Sequence, residues 1–162
     1  MPSVNKTTAP VAADESEIEP RHLPLLPAGS SLVDSAAAVG NLIRFLETGS
    51  VPDGLFAEDV CFDLTLPRWR IQGTNARDLV AARFEGHPSP GTVHVERVEQ
   101  TGHGFTIEFE ERWTQAGQRW YSREMIRADL VGPTIVELSI YCTGDWDELR
   151  QREHAEAVNA RT

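Results

Sequence analysis

The stretch FTIEFEERWTQAGQRWYSREMIRADL, Phe105–Leu130, decides how the chain is read. Phe105, Ile107, Phe109, Glu111 and Trp113 fall on one side of a two-residue alternation, and Thr106, Glu108, Glu110 and Arg112 on the other. That period belongs to a strand with one packed face. AGQ (Ala116–Gln118) supplies turn chemistry. Beyond it the pattern resumes, with Trp120, Ser122, Glu124, Ile126, Ala128 and Leu130 sharing the apolar side. Two adjacent runs with a short turn make a hairpin. Its packed face contains two acids, Glu111 and Glu124. A carboxylate in an apolar row is costly unless it is paired or protonated, so both are candidate site residues.

Working outward, GTVHVERVEQ (Gly91–Gln100) precedes the hairpin through the turn TGHG, and IVELSIYCT (Ile135–Thr143) follows through VGPT. The four runs form an antiparallel meander, the last with Val136, Leu138, Ile140 and Cys142 inward. Upstream, VCFDLTL (Val60–Leu66) is another strand, with Val60, Phe62, Leu64 and Leu66 on one face and Cys61, Asp63 and Thr65 on the other. The spacing of Leu32, Ala36, Val39, Ile43 and Leu46 predicts a helix from Ser31 to Gly49, with Ser31 and Asp34 as a cap. A helix is predicted from Thr74 to about Phe84, a short helical turn over Pro52–Asp59, and a last helix over Gly144–Val158. His87–Gly91 reads as a loop. Residues 1–30 hold five of the ten prolines and no aromatic residue. They read as a flexible tail, with LPLLP (Leu23–Pro27) as an extended strap. Residues 31–162 form the single domain.

The totals exclude several classes. The chain has 162 residues, 40% hydrophobic and 25% charged, with a formal charge of −10. That size suits one domain with a real core. The acids are spread along the chain, which opposes nucleic-acid binding and docking on an anionic membrane. No apolar run approaches 18 residues, so no spanning helix is expected. The opening residues lack a secretory pattern, and two cysteines, Cys61 and Cys142, make no disulfide framework; a cytoplasmic location is expected. The five histidines show no HxxxH or HxH spacing, so no metal site is expected. No P-loop, GxGxxG or GxSxG occurs, so no cofactor is expected either.

Helix, strand, helix, then four strands is an α+β order. With FAEDVCFD, MIRADLVG and IVELSIYCTGDWD in their places, Ser31 to about Val158 resembles the nuclear transport factor two-like (NTF2-like) superfamily, in its SnoaL-like and ketosteroid isomerase-like branches. The resemblance implies a cone-shaped, curved, mostly antiparallel sheet with helices on its concave face, the cystatin-like or SnoaL-like α+β barrel. A pocket would lie between that face and the helices at 31–49 and 74–84. Relatives include isomerases, polyketide cyclases, epoxide hydrolases, dehydratases and plain binding modules, so the fold alone does not choose. EMIRAD (Glu124–Asp129) matches the stretch in which the isomerase-like relatives place a pocket acid, which implies a catalytic role for Glu124. Their first-strand base aligns with Leu64, beside Asp63, so Asp63 acts as a base only if a bulge turns it inward. Their helix-one tyrosine has no counterpart here.

The expected substrate-binding wall is Phe62, Trp69, Phe109, Glu111, Trp113, Trp120, Tyr141 and Cys142. Trp69, between Arg68 and Arg70, serves either as an aromatic platform at the mouth or as a cap on the core. Trp113 and Trp120 face each other as a cross-strand pair. Cys142 points inward, with no base evident beside it. The expected function is cofactor-free acid/base chemistry on a small apolar or polyketide-like molecule in the cone; the alternative is a binding or dimerisation module. Mixed charges on the convex face (Glu108, Glu110, Arg112, Arg123, Arg127) suit a homodimer.

Overall fold

The computed structural model describes residues 29–88 and 90–160; the strap expected at Leu23–Pro27 lies outside them. Three helices, α1 (Leu32–Thr48), α2 (Ala76–Gly86) and α3 (Glu148–Asn159), accompany six strands: β1 (Phe56–Leu66), β2 (Trp69–Gly73), β3 (Gly91–Gln100), β4 (Gly104–Gln115), β5 (Gln118–Val131) and β6 (Thr134–Cys142). The strands form one open sheet in the order β2-β1-β6-β5-β4-β3. The meander β3 to β6 is antiparallel, as its short turns require. β1 lies parallel to β6, which makes the sheet mixed. α1 packs over β3, β4 and β6, and α2 over β1 and β2.

The ends of α1 are where the sequence puts them. Ser31 Oγ accepts the Asp34 N–H at 3.0 Å, and Gly49 closes the helix at φ 75°, its N–H bonded to the Phe45 carbonyl. α2 begins one residue later than expected, capped by Asn75, whose side chain accepts from the Asp78 N–H.

Four expectations are corrected. Residues 52–59 form no helical turn: the chain turns at Pro52–Gly54, with Gly54 at φ 73°, and β1 already starts at Phe56. The Leu55 carbonyl accepts the Ile135 N–H at 2.9 Å, so pairing with β6 overrides local propensity. Second, the segment after Pro67 is a strand: β2 folds back on β1 from Leu66↔Trp69 to Phe62↔Gly73. Third, a register shift between Asp129 and Leu130 changes the inward set on β6. Ile135 is fully buried where Val136 was expected, because one extra residue reverses the alternation. Fourth, α3 starts at Glu148, capped by Asp147; Trp146 instead bridges to Tyr121 of β5.

The core lies between the helices and the inner sheet face. Phe105, Ile107 and Phe109 of β4 and Ile126 and Ala128 of β5 are buried against Leu42, Phe45 and Leu46 of α1. The alternation along Phe105–Leu130 thus set the correct face inward.

Candidate functional site

A cavity of about 440 Å³ opens between the inner face and α2. Its walls are mainly apolar: Leu46 from α1, Leu64 and Leu66 from β1, Ile71 from β2, Leu79 and Ala82 from α2, and Ile126 and Ile140. Its polar lining includes Arg83, His87, Glu124 and Cys142.

Each of these side chains is held by regular structure. Glu124 and Cys142 are register partners on β5 and β6, so they share a face. Arg83 stands on the last turn of α2 and His87 is that helix's C-cap, its N–H bonded to the Arg83 carbonyl. Arg83 spans from the His87 carbonyl to the Leu46 carbonyl and pairs with Glu111. The second Glu111 oxygen lies 3.0 Å from His87 Nδ1, which is also 3.3 Å from Glu124 Oε1. On the other side of the ring, His87 Nε2 lies 2.8 Å from Asp145 Oδ1. Ser122 Oγ donates to Glu124 Oε1 at 3.0 Å. Trp113 stacks on the His87 ring with centroids 4.2 Å apart.

These contacts explain how acids survive in apolar rows. Glu111 is 1% exposed and Glu124 6%. Glu111 is compensated by two cationic partners. Burial pushes the Glu124 carboxyl up, opposed by the His87 charge and reinforced by Glu111. For His87, burial works against the charge, but hydrogen bonds to Asp145, Cys142 and Glu111 outweigh it and raise its pKa to about 11. Burial likewise raises the Cys142 thiol, with His87 opposing.

Of the residues named from sequence, Glu124, Trp69 and Cys142 line the cavity. Trp69 stands at the cavity while 72% exposed. Glu111 supports the cluster from behind. Phe62 and Phe109 are core residues rather than wall. Trp113 and Trp120 do form a cross-strand pair, with rings 6.4 Å apart and 13° from parallel, outside the cavity lining. Tyr141 is exposed, since its neighbour Cys142 takes the inward position. Asp63 also faces away from the cavity: the β1–β2 register is regular there, and its carboxylate accepts from Arg70 and from Gln72 at 3.0 Å. Arg97 pairs with Glu99, and Arg123 with Glu96, rather than with Glu124.

The sequence reading missed Arg83, His87 and Asp145. The i, i+4 spacing of Arg83 and His87 at a helix end was the available signal; the reading had ended that helix at Phe84. The structure also gathers ligand-type atoms of His87, Glu124 and Cys142 within 4.8 Å of one another. No HxxxH spacing could show this, because the three lie on different elements.

No protein-family model matches the chain, and no curated protein matches it. Solved structures do. An NTF2-like protein from Anabaena variabilis superposes with a TM-score of 0.59 at 16% identity, over 70% of this chain and 90% of that one. A loop-truncated variant of IdmH gives 0.53 at 17% identity, over 67% and 91%. An LEH-like epoxide hydrolase from M. tuberculosis gives 0.51 at 14% identity, over 68% and 83%. This open α+β cone is the fold of the NTF2-like superfamily, as the strand order and the resemblance both indicated.

Proposed function

We propose that this chain is an enzyme of the SnoaL-like or ketosteroid isomerase-like kind. It moves a proton to or from a small apolar, polyketide-like molecule without a cofactor. The observation that carries the reading is the Glu124 carboxyl at the polar end of an apolar cavity of about 440 Å³. That volume falls in the range of small-molecule sites, where apolar walls bind and a few polar groups orient. A substrate body lies along Leu64, Ile126 and Ile140, with its carbonyl or epoxide oxygen against Glu124. Glu124 then delivers a proton to that oxygen or removes one from the neighbouring carbon. Arg83, His87 and Glu111 hold the carboxyl's surroundings fixed, and the apolar walls exclude water. The M. tuberculosis structure, described as an epoxide hydrolase, shares the fold, and protonation of an epoxide oxygen is one reaction this arrangement suits.

The test is a panel of an aliphatic epoxide, a β,γ-unsaturated ketone and a tertiary alcohol, with products followed by mass spectrometry. At least one member should turn over. Glu124→Gln should keep the circular dichroism of the parent chain and lose about 10²–10⁴-fold in rate. Unchanged turnover in that variant contradicts the reading, as does tight binding of every panel member with no product.

A further inference from the structure

The cluster behind the cavity has more negative groups than positive ones. Glu111, Glu124 and Asp145 converge on Arg83 and His87. Two carboxylate oxygens meet His87 Nδ1, at 3.0 and 3.3 Å, and the Cys142 thiol lies near the same imidazole; one N–H cannot satisfy both carboxylates. A proton on Glu124 is one way to balance this; a cation among the acceptors is another.

We propose that His87, Glu124 and Cys142 form a binding site for one divalent transition-metal ion of the zinc class, with its fourth position open to the cavity. The ligand-type atoms lie within 4.8 Å of one another. A tetrahedral zinc ion, at about 2.0–2.3 Å from its ligands, needs them roughly 3.3–3.8 Å apart. The pair His87 Nδ1 and Glu124 Oε1 is already at 3.3 Å, so any closure falls on the contacts of the thiol, which lie within 4.8 Å. Nitrogen, sulfur and oxygen donors together suit zinc or cobalt better than magnesium or calcium. The surrounding groups fit as well. With Nε2–H donated to Asp145 at 2.8 Å, Nδ1 is the nitrogen that takes an ion, which replaces its contact with Glu111 at 3.0 Å and leaves Glu111 to Arg83; this is the carboxylate–histidine arrangement that orients metal-binding imidazoles. Glu124 and Cys142 come from paired strands and His87 from a helix end packed on Trp113, so the site needs no folding of its own.

Binding displaces the Nδ1 and Sγ protons into solvent and takes the Glu124 carboxylate as a ligand. A loaded chain therefore has no Glu124 proton to move, and the ion competes with the turnover proposed above. The inference shares the cavity with that reading but does not depend on turnover. It is tested on the untagged full chain, stripped of metal and titrated with Co²⁺ alone. One ion per chain should bind saturably, with a near-ultraviolet thiolate-to-cobalt absorption and visible bands of a tetrahedral ion. Cys142→Ser should lose the near-ultraviolet band with unchanged circular dichroism, while Cys61→Ser, on the exposed thiol, keeps it. Asp145→Asn should weaken Co²⁺ binding about 10–100-fold. Absence of saturable binding overturns the proposal, and so does a band of equal strength in Cys142→Ser. Loss of the Glu124 role in turnover, by contrast, is read only in the metal-stripped Glu124→Gln assay.

Discussion

At the scale of single residues, the buried acids are the feature that most departs from an ordinary core. Glu111 is stable where it is because Arg83 and His87 both face it. Removing one partner from such a group leaves a charge without water or compensation. Arg83→Met should therefore cost about 3 kcal/mol, read as a lower urea midpoint. Arg97→Met, on an exposed pair with Glu99, should cost about 0–1 kcal/mol. Similar losses in both would show that the cluster is not compensated as described. This is also the scale at which the sequence was partly legible. Alternation alone placed Glu111 and Glu124 inward, because strand period fixes the face. It could not supply His87 or Asp145: each follows a regular element in the chain, and which groups a chain end meets depends on how elements cross in space.

At the scale of elements, the meander and α1 followed from local pattern, and the β1–β2 edge did not. A strand of five residues, WRIQG, with one arginine, one glutamine and one glycine carries little hydrophobic signal, and its formation depends on β1 offering an unpaired edge. Gly73 shows how close that pairing is. A Cβ there would stand 2.3 Å from the Phe62 ring, so a side chain cannot fit without displacing that buried ring. Gly73→Ala should lower stability by about 1–3 kcal/mol and disturb the cavity wall built by Leu64 and Ile71. A thermal midpoint equal to the parent's would mean that β2 does not hold this register. The shift at Asp129/Leu130 is the other lesson: a bulge reverses inside and outside on one side of it, here at Ile135, while Leu138, Ile140 and Cys142 keep the expected face, and no composition rule announces it.

At the scale of the whole molecule, the NTF2-like fold was readable from the order of elements, and the parallel β1–β6 pairing is what the order alone left open. On the outer face, Arg112, Arg123 and Arg127 pair within the chain with Glu110, Glu96 and Glu137. These charges thus have partners without a second copy. The inner face carries the proposed function, since it leaves a cavity where side chains could have filled the space. The most direct measurement is a crystal structure of the metal-stripped chain with decan-2-one. The alkyl chain should lie along Leu64, Ile126 and Ile140, with the ketone oxygen within about 2.6–3.2 Å of Glu124. A cavity that stays unoccupied at saturating ketone, or a ketone oxygen turned away from Glu124 toward Trp69, would contradict it.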